Sequence, residues 1–364
     1  MAVLLAGILI GGGLVAVSGI IPIKASSGHW AITGWFLNFT KERSVATHTL
    51  GLKEPALDEP WLVLKGAGHY ETGCRPCHGS PGLPHPRIAQ EMTPPPPDLG
   101  LATLKWEPRE LFYIVKHGIK FTGMPAWPAS QRDDEVWAMV AFLREFPRLD
   151  TERYRCLALG ENALTESVPM HDLEATEKAP QAVSHSCGRC HGVNGQGRES
   201  PAFPKLAGQK PDYLFASLQA FARGERHSGM MEPIAAGLSS EQMRELALYY
   251  GNLPAWPKSS LHAETAATIE RGKSIARGGI PSHRVPTCAA CHGPDTAPRN
   301  PIYPRLAGQH ADYLVLQLKL FKAQQRGGTA YGHLMYHVAG GLTPDQMRDV
   351  ACYYASLGVT PMAQ

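Results

Sequence analysis

An excess of charge of one sign is missing from this sequence: 35 Lys and Arg stand against 32 Asp and Glu in 364 residues, for a formal net charge of +3. So small a surplus gives no argument for nucleic acid or for an acidic partner. Marks of familiar catalysts are missing too. The chain has no Ser-His-Asp arrangement, no phosphate loop and no flavin fingerprint, so those chemistries have no residues to rest on. Charged side chains are absent from residues 2–23, and no Lys or Arg precedes that run. Cysteine is scarce outside three short stretches, where only Cys156 and Cys352 remain of eight. What is there, 43% apolar and 18% charged with 37 Gly and 31 Pro, describes loop-rich globular modules rather than disorder, and the length suggests two or three domains.

The other six cysteines form Cys74-Arg75-Pro76-Cys77-His78, Cys187-Gly188-Arg189-Cys190-His191 and Cys288-Ala289-Ala290-Cys291-His292. Each is a C-x-x-C-H run, the attachment signature for c-type haem. Two cysteines three positions apart on a short helical turn each form a thioether to one side of a porphyrin, and the histidine that follows sits under the iron as proximal ligand. Zinc is the rival for such pairs. A zinc ribbon brings together two pairs ~15–20 residues apart, whereas these lie about 100 residues apart and each carries its own histidine. Cys156 and Cys352 either pair in an oxidising compartment, or Cys352 takes a core position like Leu248, its partner in the repeat described below.

The apolar run from Ala2 to Ile23, ended by Lys24, approaches the ~20 residues of a membrane-crossing helix and predicts an uncleaved transmembrane anchor over residues 1–25. A cleaved signal peptide competes. Against it, the run exceeds the ~7–15 residues of a signal's apolar region, and Ile23-Lys24-Ala25 is a poor small-x-small cleavage site. Residues 26–60 read as an interfacial segment and tether. Trp30, Trp35, Phe36 and Phe39 suit the headgroup zone, the alternative being a short core helix packed on the next module.

Residues 61–150 read as the first module. Apolar spacing from Trp61 to Tyr70 predicts a helix with small residues at 66–68 for close approach, and Asp133 to Leu143 predicts a second, with acidic residues suited to the helix dipole at its start. Between them, Gly118 to Pro128 is a proline-stiffened loop carrying Met124, 46 residues after His78. This stretch resembles class I cytochromes c and their G-M-P ligand loop. The resemblance implies Met124 as the sixth iron ligand, ahead of Met92, Met139, His85 or His117, or of a methionine that merely fills core space. A proline carbonyl of the Pro94–Pro97 run, that of Pro97, is placed to accept the Nδ1 proton of His78.

Residues 151–179 read as an acidic linker. Beyond it the sequence repeats at about 100 residues: Pro201 to Gln209 answers to Pro301 to Gln309, Asp212-Tyr213-Leu214 to Asp312-Tyr313-Leu314, and Tyr249-Tyr250 to Tyr353-Tyr354. The halves, 180–258 and 259–364, resemble the dihaem cytochromes c4, two class I modules back to back. That resemblance implies Met231 and Met335 as distal ligands to the irons of His191 and His292, with Met230, His333 and His337 as weaker candidates. It also implies Pro204 and Pro304 as the prolines that orient those histidines. The third module keeps the glycine of its expected first helix, Gly272, while Ala175 to Val183 carries none, so the second module's first helix is expected to be displaced or packed differently.

The whole chain resembles the membrane-anchored trihaem cytochromes c of proteobacteria. The implied fold is all-α, with three class I modules in tandem after one transmembrane helix. Three covalently bound haems c are implied, on Cys74, Cys77, Cys187, Cys190, Cys288 and Cys291, with iron held by His78, Met124, His191, Met231, His292 and Met335. The implied place is the bacterial inner membrane, single-pass, with the haem modules in the periplasm. Six-coordinate iron suits electron transfer rather than catalysis. The first module resembles haem modules attached to oxidases, which implies a respiratory carrier to a terminal oxidase, fed by a quinol-cytochrome c reductase or a soluble cytochrome. The alternatives are the cytochrome subunit of a membrane-bound alcohol, aldehyde or sugar dehydrogenase, and a haem-based redox sensor, for which no signalling domain follows Tyr354.

Overall fold

In a computed structural model the chain is described at residues 1–21, 23–160, 180–181, 183–254, 265–293 and 299–358. The uncharged N-terminal run coils into α1 (Ala2–Val17), 16 residues long. Ser18 Oγ then turns back to the Val15 carbonyl at 2.7 Å, and Gly19 follows at φ +69°. At 1.5 Å per residue α1 is about 24 Å long, short of the ~30 Å hydrocarbon layer. Among the described residues no helix is long and apolar enough to cross a membrane. The anchor expected over residues 1–25 is therefore corrected, and with it the single-pass inner-membrane placement. A run without charge does not make a span when its helix stops early.

α2 (Ala31–His48) runs on through the segment expected to begin a tether. Its first half leaves Trp35, Phe36 and Phe39 exposed, whereas further on Val45 is buried and His48 stacks on Tyr113 with ring centroids 5.5 Å apart.

A first helical region follows: α3 (Pro60–Gly73), α4 (Arg75–His78), α5 (Pro108–His117), α6 (Asp133–Glu145) and α7 (Thr151–Leu159). Proline at the first turn of α3, and a capping box between Glu107 and Glu110 at the start of α5, begin helices where orphan amides need partners. α3 crosses α6 at Gly66, where a Cβ would lie 2.2 Å from the Ala138 carbonyl oxygen. Tyr70, Val136, Met139, Val140 and Phe142 are buried in that crossing. The stretch read as an acidic linker begins with a packed helix, since Tyr154 and Ala158 of α7 join this core and the Tyr154 hydroxyl donates to Glu71 Oε2 at 2.6 Å. Residues 161–179 of that stretch lie outside the described residues.

The second region holds α8 (Gly188–His191), α9 (Pro211–Ala222), α10 (Met231–Ala236) and α11 (Ser240–Asn252). The third holds α12 (Ala266–Gly278), α13 (Cys288–His292), α14 (Ala311–Lys322), α15 (Leu334–Gly340) and α16 (Pro344–Ser356). The sequence repeat becomes a structural one. α11 and α16 begin with the same capping box, Ser239 with Gln242 and Thr343 with Gln346. Tyr250 and Tyr354 both donate to the glycine carbonyl after the haem-type run, Gly192 at 3.2 Å and Gly293 at 3.0 Å.

The two regions interlock reciprocally. Gln309 accepts from the Lys205 amide and donates to its carbonyl, both at 3.0 Å, while Gln209 does the same to Arg305 at 2.8 and 3.0 Å. In the third region α12 crosses α16 at Gly272, where a Cβ would meet the Asp349 carbonyl oxygen at 2.0 Å. Cys352 is 1% exposed there and not bonded to Cys156. Among the described residues there are no strands, only isolated bridges. The chain is helical, as expected.

Candidate haem sites

Each C-x-x-C-H run is one helical turn, α4, α8 or α13, closed by a glycine at positive φ: Gly79 at +66°, Gly192 at +77° and Gly293 at +84°. Glycine takes that conformation at no steric cost, and the chain can leave the turn directly after the histidine. Each histidine is then oriented by a proline carbonyl. Nδ1 lies 3.4 Å from Pro97 O for His78, 3.0 Å from Pro204 O for His191 and 2.9 Å from Pro304 O for His292. A carbonyl can only accept, so Nδ1 carries the proton and Nε2 presents a bare lone pair. Burial also lowers the pKa of all three imidazoles, which keeps them neutral, the form that binds a metal. Burial pushes the Cys74 thiol up to about 12 and those of Cys190 and Cys288 up to about 11.

A cavity of about 1100 Å³ is lined by Cys187, Cys190, His191 and Met231 and also by Cys288, Cys291, His292 and Met335. The structure thus brings together both expected ligand pairs of the second and third regions. Met230 and His337 reach the same cavity. Its walls are largely apolar but hold Arg226 and Arg326, each 8% exposed. Each guanidinium stacks 4.5 Å from its own phenylalanine, Phe221 or Phe321, and donates across to the other region's tyrosine. Arg326 reaches Tyr213 at 2.7 Å and Arg226 reaches Tyr313 at 3.2 Å. Among the described residues neither pairs with a carboxylate, and burial followed by the Arg226 charge lowers the pKa of Arg326. Two buried cations in one apolar cavity call for anions. A porphyrin carries carboxylates on an otherwise apolar disc, so the donor set, the walls and the charge fit haem. Spacing alone did not single out these arginines, although they stand one repeat apart, beside the matched tyrosines.

The first run lies outside this cavity. Met124 is half-buried in its expected loop, which is closed by Ile119 N donating to Met124 O at 3.2 Å and Met124 N donating to Thr122 Oγ1 at 3.1 Å. Met92 abuts the same loop, since a Cβ on Gly123 would meet its Cε at 1.7 Å. Met139 is 1% exposed in the helical core, the place of a packing residue. His117 packs on Tyr113 at 4.6 Å, and His85 stands beside Gly79.

Covalent attachment signatures with oriented neutral histidines define a haem-bearing electron-transfer protein. Comparison with known proteins agrees. Residues 62–143 match the family described as cytochrome c oxidase, cbb3-type, subunit III, and residues 177–253 and 269–358 match cytochrome c. Cytochrome c-552 of Acidithiobacillus ferridurans is 37% identical over 187 residues, covering 50% of this chain and 78% of that protein. A thiosulfate dehydrogenase electron acceptor of Stutzerimonas stutzeri is 33% identical, covering 50% of this chain and 84% of that one. Cytochrome c4 of Thiocapsa roseopersicina is 34% identical, covering 47% and 86%. The chain belongs to the cytochrome c family, as a multihaem c-type cytochrome that carries electrons rather than catalysing a reaction.

Proposed function

We propose that the chain is a trihaem electron relay of three class I modules, with thioethers at Cys74, Cys77, Cys187, Cys190, Cys288 and Cys291. The proximal ligands are His78, His191 and His292, and the distal ligands Met124, Met231 and Met335. The observation that carries this reading is the threefold recurrence of one device, a C-x-x-C-H turn whose histidine is fixed through Nδ1 by a proline carbonyl. Haem c, when bound, supplies an iron that accepts and releases one electron. The chain's residues do the rest. The neutral imidazoles would offer Nε2 as one iron ligand and the methionine sulfurs would supply the other, a donor set that suits electron transfer and raises the potential. Arg226 and Arg326 would pair with the porphyrin carboxylates, and the apolar walls would exclude water.

The first module's likeness to an oxidase subunit supports a terminal oxidase as acceptor. A second reading concerns the donor. Relatives named as electron acceptors of thiosulfate dehydrogenase favour a thiosulfate-oxidising enzyme over an alcohol, aldehyde or sugar dehydrogenase, a quinol-cytochrome c reductase or a soluble cytochrome. Replacing Met124, Met231 or Met335 singly by leucine should each remove about a third of the sulfur–iron charge-transfer band, the share expected where every iron carries one methionine. A band left whole rejects the ligand concerned. Rapid mixing of the reduced protein with a terminal oxidase, and of the oxidised protein with thiosulfate dehydrogenase and thiosulfate, tests the two partners separately.

A further inference from the structure

The first region reaches into the second region's site. Gly68 on α3 packs on the attachment turn, where a Cβ would lie 3.0 Å from Phe203 Cζ and 3.2 Å from Cys190 Sγ. Lys65, His69, Arg132 and Glu135 line the cavity that Met231 also lines. The contact turns on Glu135, which is 2% exposed. Its Oε1 accepts from Ser228 Oγ at 2.7 Å, and its Oε2 accepts from the Gly229 amide at 2.7 Å and from Trp127 Nε1 at 3.2 Å. Arg132 neutralises it, with Nη2 2.9 Å from Oε1, and donates from Nη1 to the His227 carbonyl at 2.6 Å.

Ser228 passes the constraint on. Its single hydroxyl proton goes to Glu135, so its lone pairs are left for the amides of Met231 at 3.2 Å and Met230 at 3.4 Å. Gly229 is the residue that lets the two regions close, because a Cβ there would lie 2.2 Å from Trp127 Nε1. Met335 has a different support. Its amide donates to Gly332 O at 3.0 Å within its own loop, beside exposed Tyr331 and Leu334.

We propose that Glu135 is a positioning residue for the Met231 turn, so that a carboxylate of the first region sets where the second region's methionine stands. Docking of the first region and ligation at the second haem are then coupled through two successive hydrogen bonds. This rests on the assignment of Met231 as distal ligand.

The test is Glu135→Gln in the full-length, haem-loaded protein. Glutamine keeps the volume but turns an NH₂ toward donors, while Asp134 remains, 2.7 Å from Arg132, to neutralise it. Imidazole competes with methionine sulfur for iron. The concentration that half-displaces one third of the sulfur–iron band should fall about tenfold, the equivalent of ~1.4 kcal/mol of lost hydrogen bonding. One of three components in an optical redox titration should move, and the remaining two thirds of the band serve as internal control for folding. Ser228→Ala, the milder change, should shift the same component in the same direction. Unchanged imidazole profiles and potentials in both variants overturn the proposal. Met231→Leu separates the two failures. If the band stays whole, the ligand assignment falls and the proposal with it. If a third is lost while Glu135→Gln changes nothing, the assignment stands and only the positioning role falls.

Discussion

The second and third regions share a repeat and a cavity, yet they are protected from opposite ends. In the third, α12 crosses α16 at Gly272, and Asp349, Cys352 and Tyr353 are buried. In the second, the matching face of α11 leaves Glu245 and Leu248 exposed. At the methionine turns the order reverses: Ser228 and Gly229 are buried against the first region, whereas Tyr331 and Leu334 are exposed. Duplication reproduces the attachment turn and its oriented histidine. Neighbours decide how tightly each copy is closed.

The largest effect should come from the crossing of α12 and α16, which among the described residues has no counterpart in the second region. Gly272→Val drives a side chain into backbone 2.0 Å away and should cost on the order of 4 kcal/mol. In thermal melts followed at the sulfur–iron band, one third of the amplitude should melt early and the rest at its usual temperature. A single unshifted transition would mean that the crossing is not what holds the third region.

Acid should act at the other end. Burial holds His69 down at about 4, against an ordinary 6.5, and among the described residues its Nδ1 has no hydrogen-bond partner. As pH falls the unfolded chain takes up this proton first. The stability attached to a neutral His69 is therefore complete above about pH 6.5 and is lost toward pH 4. The loss amounts to roughly 3 kcal/mol. Because His69 adjoins Gly68, which packs on the second region's attachment turn, that region should loosen before the third, and His69→Leu should flatten the pH dependence seen in denaturant titrations. The smallest effect should be symmetric. Ser239→Ala and Thr343→Ala each remove one capping box and should each cost ~1 kcal/mol by the same assay. Unequal losses would show that α11 and α16 contribute differently despite equal caps.

Much of the site was legible in the chain. The C-x-x-C-H turns and the orienting prolines at 97, 204 and 304 are local or repeated features, and local chemistry places them. The glycine crossings at 66 and 272 were legible as small residues in helical runs. What escaped depends on distant partners. Glu135 belongs to an acidic first turn that suits a helix dipole, and nothing nearby reveals that Ser228 and Gly229, over 90 residues on, complete it. Tyr154 was hidden in a charged stretch that reads as linker until its hydroxyl meets buried Glu71. The N-terminal run misled for a simpler reason. Its composition suits a span, but Ser18 and Gly19 end the helix too soon.

A relay of three modules requires three haems. A pyridine haemochrome assay on the purified full-length chain, set against its protein concentration, should give three haems c per chain, one for each C-x-x-C-H turn. Two or fewer would contradict the relay of three modules, whichever partner it serves.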